Sequence, residues 1–297
     1  MSGNLPRITV VTPSFNQASY VETAIQSVLG QFYPNLEYII MDGGSTDGSV
    51  DIIRRYESSL AFWVSGKDGG QADAINRGFA HATGDILCWL NSDDFYLPGT
   101  LRRIADMLAA KIREPALVYG GTLFFRDDSN HSKVARPREF DPRLLGILDY
   151  ILQPSTFWTS ALWRMCGHLD ATMSFAFDWE WFLRAAKLIA FTRCENILSG
   201  YRLHAGQKSG SGGKARRMEI LEVAQRHSET AYREAYQFTH AHWDRVLRCH
   251  EMERTLARWR VPLAGWLARA CNPPLMLLRH DLKFHDLEIC RYMFTDI

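Results

Sequence analysis

Several absences narrow the reading of this 297-residue sequence before any motif is considered. No stretch of about 18 uncharged apolar residues occurs, so no segment has the character of a membrane-spanning helix. Cysteine is scarce and dispersed. The 6 cysteines (Cys88, Cys166, Cys194, Cys249, Cys271, Cys290) include no CxxC pair, which argues against a zinc ribbon and a disulfide framework and fits a reducing compartment. An excess of one charge is lacking too: 34 Lys+Arg stand against 33 Asp+Glu. A net charge of +1 gives no reason to expect nucleic acid as a partner. Neither GxxxxGK[ST] nor a GxGxxG after the first strand is present, which removes the main support for a P-loop or dinucleotide-binding reading. The N-terminus, MSGNLPRITVV, lacks the charged start and long apolar run of a secretory signal. A cytoplasmic enzyme is the expectation.

What is present reads as an ordinary globular composition, 46% hydrophobic and 23% charged, with material for a large core. The first 125 residues alternate strand and helix text. Arg7 to Thr12, Leu36 to Met41, Phe62 to Ser65 and Ile86 to Leu90 are short apolar or β-branched runs. Between them lie segments of helical spacing, such as Val21, Ala24, Ile25, Val28 and Leu29. Ser45-Thr46-Asp47 supplies capping chemistry for a helix through Tyr56, Ala72 to Ala82 reads as a helix, and Pro98 opens another to about Lys111. This order predicts an α/β fold with a mostly parallel sheet flanked by helices. Ligands in such sheets gather at the carboxyl ends of the strands. Further on, Val118 to Arg126 and Ser132 to Arg136 suit a hairpin. Asp178 to Leu188 reads as a helix, residues 205–214 as a flexible loop, and Ala215 to about Arg258 as helical text. The division expected is 1–205 for the catalytic domain and 206–297 for a loop plus a helical C-terminal region.

Four polar clusters follow predicted strands. Leu90-Asn91-Ser92-Asp93-Asp94 puts two carboxylates directly after an apolar strand, where a hard divalent cation wants oxygen ligands; the alternative is a capped turn before the Pro98 helix. Thr12-Pro13-Ser14-Phe15-Asn16 offers small polar groups to a nucleotide, or is a plain connecting loop. In Met41 to Ser49, glycines permit close backbone approach and Asp42 is placed to accept a base N–H, or the segment is a glycine-rich turn. Lys67 to Gly78 carries Asp68, then Gln71, Asp73 and Asn76 on a helix start, where backbone N–H groups favour anions.

Taken together, VVTPSFN (10–16), MDGGSTDGS (41–49), DGGQADAINRG (68–78), LNSDD (90–94), FDWEWFLR (177–184) and YRLH (201–204) resemble family 2 glycosyltransferases of the GT-A fold, over roughly residues 7 to 205. The resemblance implies an inverting enzyme that moves a sugar from a nucleotide donor. It places Thr12, Pro13, Ser14, Asn16, Asp42, Asp68, Gln71, Asp73, Asn76 and Asp94 in the nucleotide-sugar pocket. It gives Asp93 and His204 to a Mn2+ or Mg2+ ion and Asp178 to the catalytic base, with Glu180 as the alternative. Two departures stand out. Asp42-Gly43 occupies a position where many relatives have two acidic residues, and Asn91 occupies one where many have aspartate. Gln153 to Trp158 resembles an acceptor-side segment, or is a buried edge strand.

A carboxylate at the end of the second strand can accept the N3–H of uracil or thymine, so a UDP- or dTDP-sugar is favoured. A glycan or lipid-linked acceptor, in cell-surface polysaccharide or glycolipid synthesis, is expected. Two other classes stay open on the sequence: a metal-dependent nucleotidyltransferase and a non-catalytic nucleotide-sugar or glycan-binding module. The stretch from Arg254 to Arg279 has five arginines, no acidic residue, and Trp259 and Trp266. It reads either as a peripheral membrane contact or as a packing or homodimer surface.

Overall fold

The computed structural model describes residues 5–128, 132–208, 212–259, 289–291 and 293. The chain divides into two units, one of residues up to 142 and 150–207, the other of 143–149 and the residues from 208 onward.

Among the described residues, the first unit is built on a nine-stranded sheet. Strand β1 (Ile8–Ser14) leads through α1 (Val21–Leu29) to β2 (Leu36–Asp42), then α2 (Ser49–Arg55) and β3 (Phe62–Ser65). Helix α3 (Gln71–His81) precedes β4 (Ile86–Trp89), β5 (Phe95–Tyr96) and α4 (Thr100–Leu108). The hairpin β6 (Leu117–Phe125) and β7 (Ser132–Ala135) comes next, followed by α5 (Pro142–Leu145), which runs into residues of the second unit. After it come β8 (Thr156–Thr159), α6 (Ser160–Cys166), α7 (Phe177–Ala186) and β9 (Thr192–Arg202). The strand order is β3-β2-β1-β4-β8-β6-β9-β5, with β7 paired to β6.

The parallel expectation holds for β3-β2-β1-β4. Beyond β4 the sheet is mixed: β8 runs antiparallel to both β4 and β6, while β6 and β9 are parallel. The segment read as an edge strand is thus interior. All four residues of β8 are buried, and Trp158 packs against Trp89, Trp163 and Trp181. A β-branched and aromatic segment with both faces covered suits a central strand. Helix α3 closes on the sheet through Gly78, where an added Cβ would lie 2.5 Å from Val11 Cγ1.

At the amino ends of the strands, buried Glu37 accepts from the Thr9 hydroxyl at 2.5 Å and from the Thr83 N–H and hydroxyl at 2.7 Å each, and it pairs with Arg7 at 3.0 Å. Burial alone would raise this carboxyl, but the three hydrogen bonds and the guanidinium hold it below its ordinary value. It pins β1, β2 and the α3–β4 connection together.

In the second unit the helical text of the sequence is broken into α8 (Gly213–His227), α9 (Thr230–Ala241) and α10 (Trp243–Arg258). Tyr236 donates its hydroxyl to Ile147 O at 2.7 Å, and Ser228 donates to Gly146 O. Among the described residues no helix is long and apolar enough to cross a membrane. Most of the basic stretch, including Trp266 and Pro273-Pro274, lies outside the described residues, as do 209–211 of the expected loop.

Candidate active site

The parallel strands deliver their following loops to one end of the sheet. The first two loops are laced together. Gly43 N–H donates to Ser14 O at 2.8 Å and Thr46 N–H to Asn16 Oδ1 at 2.9 Å. Asn16 N–H donates to Ser45 Oγ at 2.7 Å, Gln17 N–H to Ser49 Oγ and Ala18 N–H to Asp47 Oδ2, both at 2.9 Å. Asn16 sits at φ +51°, a left-handed conformation that asparagine tolerates better than most residues. Its neighbour Phe15 is 60% exposed.

Asp42 is 2% exposed. Its carboxylate accepts from the Gly44 N–H (3.1 Å), the Ser45 N–H (2.9 Å), the Ser45 hydroxyl (2.5 Å) and the Ser65 hydroxyl (2.6 Å). It orders the loop from inside instead of presenting a free edge. Asp68 is the half-buried carboxylate at this mouth: a Cβ added at Gly43 would lie 3.0 Å from Asp68 Oδ2 and 3.3 Å from Phe15 Cδ2. Gly43 thus keeps the floor low between a carboxylate and an aromatic ring.

Two other candidates are placed elsewhere. Thr12 is fully buried, its hydroxyl 3.1 Å from the Tyr38 hydroxyl inside the core. Asn76 pairs its amide with both backbone groups of Leu169, donating to the carbonyl at 2.9 Å and accepting the N–H at 3.0 Å. It ties α3 to the segment preceding α7. Pro13 and Ser14 are buried at the end of β1, and among the described residues the Ser14 hydroxyl has no hydrogen-bond partner. Asp73 accepts Gly69 N–H at 2.9 Å and Asp68 accepts Gly70 N–H at 2.8 Å, so both fold the glycine loop onto the first turn of α3.

Gln71, on that turn, starts a chain of amides with one direction. Its Nε2 donates to Asn91 Oδ1 (2.9 Å), Asn91 Nδ2 to Gln153 Oε1 (3.4 Å), and Gln153 Nε2 to Trp89 O (2.8 Å). The Asn91 oxygen is occupied by Gln71, which explains how the site accommodates an amide at this position.

Just past β4, Asp93 and His204 come together from the ends of β4 and β9: His204 Nε2 lies 3.2 Å from Asp93 Oδ2, with side chains 12% and 21% exposed respectively. Asp94 is 2% exposed. Its Oδ1 accepts the Arg202 N–H at 3.1 Å. Burial, and then the neighbouring Asp93 charge, push its carboxyl well above the usual range.

The sequence reading missed Arg202, whose only signal was its place in YRLH. It is 7% exposed, donates Nε–H to Asp93 O at 3.1 Å and pairs with Asp127. The guanidinium lies over the rings of Tyr20 (5.0 Å) and Phe125 (4.8 Å), and Tyr20 in turn packs on the His204 ring at 4.4 Å.

The donor set can be tested against a divalent cation. Two ligand atoms in adjacent octahedral positions about 2.1 Å from a common centre stand about 3 Å apart, and the Asp93–His204 spacing of 3.2 Å meets that. Among the described residues no group of three or more His, Cys, Asp or Glu side chains is placed to hold a metal. Remaining ligands would have to come from substrate oxygens and water, as is usual where a cation binds phosphates. The residues fit such an ion.

On α7, Asp178 is half-buried and its Oδ1 accepts the Trp179 N–H at 2.8 Å. Glu180 is 5% exposed and bound to Arg184 in a two-pronged pair at 2.8–3.0 Å. Arg184 also donates to the Cys166 and His168 carbonyls. Glu180 is thereby committed to joining α7 to the end of α6.

Residues 9–165 match the model of Glycosyl transferase family 2. An uncharacterized glycosyltransferase of Mycobacterium tuberculosis (strain CDC 1551 / Oshkosh) is 32% identical over 257 residues, 81% of this chain and 96% of that protein. One from Rickettsia typhi (strain Wilmington) is 24% identical, over 69% of this chain and 67% of its own. Among solved structures, S. aureus TarS 1-349 in complex with UDP-GlcNAc superposes with a TM-score of 0.60 at 17% identity, covering 97% of this chain and 90% of that one. Mannosyltransferase PcManGT from Pyrobaculum calidifontis, in complex with GDP-Man and Mn2+, gives 0.58 at 17% identity, covering 97% and 85%. These likenesses establish the GT-A-like architecture. Membership of the family sets aside the nucleotidyltransferase and the non-catalytic module. With its α/β sheet and its matched domain, the chain belongs to glycosyl transferase family 2 and is a glycosyltransferase.

Proposed function

We propose that this enzyme transfers a sugar, with inversion, from a nucleoside-diphosphate donor to a hydroxyl of a glycan or lipid-linked acceptor. The observation that carries the reading is the Asp93–His204 pair at the carboxyl end of the sheet. When bound there, Mn2+ or Mg2+ supplies charge stabilisation for the departing diphosphate. The residues do the rest. The β1–α1 and β2–α2 loops and Asp68 receive the base: Asp68 Oδ2 offers an acceptor for an N–H, and exposed Phe15 offers a face. This arrangement favours uracil or thymine, and guanine, whose pairing edge also carries an N–H, belongs in the same screen. Asp178 takes the acceptor hydroxyl proton as that oxygen bonds to the anomeric carbon. The bond from that carbon to the diphosphate breaks, and its electron pair leaves with the nucleotide. The transition state has oxocarbenium character, as in glycoside hydrolysis.

The pairing of Glu180 with Arg184 supports reading Asp178, not Glu180, as the base. Both TarS, crystallised with UDP-GlcNAc, and the mannosyltransferase, crystallised with GDP-Man and Mn2+, support a nucleotide-sugar donor. The test is a thermal-shift screen of UDP-, dTDP-, GDP- and CMP-sugars with and without Mn2+. A donor at 100 times its dissociation constant stabilises by about 2.7 kcal/mol. The shift should need Mn2+ and vanish in Asp93→Ala. A Mn2+-independent shift that survives this substitution would remove Asp93 and His204 from the site.

A further inference from the structure

We propose that Arg202 is a positioning residue for the Asp93–His204 pair, and that it acts through the Asp93 backbone and the Tyr20 ring. This rests on the reading of that pair as a cation site. Three observations place Arg202 in the role. Its Nε–H holds the carbonyl of Asp93 at 3.1 Å and its N–H holds Asp94 Oδ1 at 3.1 Å, so the β4–β5 turn is gripped at two successive residues. Its guanidinium lies over Tyr20 and Phe125, and the other edge is charge-paired with Asp127 at the end of β6. Tyr20 also meets the imidazole of His204, two residues on. One side chain therefore locates the main chain of the turn that carries Asp93 and, through a shared ring, the side chain that faces it.

The geometry calls for arginine. A planar fork can donate to Asp93 O from Nε and to Asp127 from its far edge while its face rests on aromatic rings; a lysine ammonium is a single point and reaches only one of these acceptors. Asp127 neutralises the buried charge, which would otherwise oppose a cation nearby. Groups one step removed from metal ligands fix ligand orientation, and their loss typically costs 10–100-fold in metal affinity.

The experiment measures Mn2+ binding directly, by electron paramagnetic resonance of free Mn2+ titrated with the full chain in the presence of UDP, with thermal melts in EDTA as the check on folding. Arg202→Lys should weaken Mn2+ about 10–100-fold. Tyr20→Leu should weaken it as well, whereas Tyr20→Phe, which keeps the ring, should bind like the parent. Mn2+ binding within twofold of the parent in both Arg202→Lys and Tyr20→Leu, while Asp93→Ala abolishes it, would overturn the positioning role and leave the cation site standing. Equal weakening in Tyr20→Leu and Tyr20→Phe would overturn the route through the ring. Unchanged binding in Asp93→Ala and His204→Ala would overturn the site itself. The Tyr20 pair keeps the test decisive if Arg202→Lys folds poorly.

Discussion

Two carboxylates two residues apart on α7 should fail in opposite ways. Glu180→Gln breaks a two-pronged pair whose acid is 6% and whose guanidinium is 26% exposed. Removing one partner of a buried ion pair costs about 3–5 kcal/mol. Here Arg184 keeps the Cys166 and His168 carbonyls, and glutamine keeps one acceptor oxygen, so about 2–3 kcal/mol is expected. At about 2–4 °C per kcal/mol for a domain of this size class, the melting midpoint should fall by roughly 4–12 °C. Transfer below the midpoint should persist, with kcat within a few-fold of the parent. Asp178→Asn should do the reverse. Asparagine can still accept the Trp179 N–H that Asp178 Oδ1 accepts at 2.8 Å, so the midpoint should move by no more than about 2 °C. It cannot take a proton, however, and kcat should fall about 10²–10⁴-fold with the donor KM little changed. At 1.36 kcal/mol per tenfold, that is about 2.7–5.5 kcal/mol of barrier. Differential scanning fluorimetry and initial rates with the donor found in the screen measure both. The assignment is refuted if Glu180→Gln stops transfer at an unmoved midpoint while Asp178→Asn stays active.

Glu37 makes stability pH-dependent. Its folded carboxyl lies below the ordinary value of 4.5, so its contribution is fully present above that value and is lost as pH falls through the folded one. Glu37→Gln should cost about 2–4 kcal/mol at pH 7, and the gap in urea midpoint should shrink below about pH 4.5; a gap that is constant with pH contradicts this. Gly78→Ala gains about 1 kcal/mol of helix propensity but forces a methyl to 2.5 Å from Val11 Cγ1 and 3.2 Å from Met41 Cγ. Overpacking of about 1–3 kcal/mol should win, lowering the midpoint; a raised midpoint would show that α3 is free to shift.

Local spacing is what made the first half of the fold legible. Each of β1 to β4 is a short apolar or β-branched run, the first three are each followed by a helix, and β1 pairs with β2, β2 with β3 and β1 with β4. The clusters that end these strands were legible for the same reason, since a parallel sheet sends every such loop to one edge. Strand β9 had no such signal. Its text, TRCENILSGYR, alternates poorly, and it is a strand because β6, some 75 residues earlier, accepts it in register from Val118 to Phe125 through an irregularity near Gly121.

Among site residues, sequence alone determined which chemical groups are present: carboxylates after β4, an acid pair on α7 and a histidine after β9. Which partners surround each of them was decided mostly by tertiary contacts. Asp42 and Asp68 are both strand-end aspartates, yet the first is closed in by four donors from 44, 45 and 65 and the second reaches the surface. The Glu180 pair is the local exception, since Arg184 stands one helical turn on along the same helix. Asn76 resembles Gln71 in sequence, but Leu169, 93 residues away, takes its amide. Arg202 carries no local signal because its acceptors lie 75 and 109 residues back along the chain. Residue type sets what a side chain can donate or accept; only the fold sets which partner reaches it first.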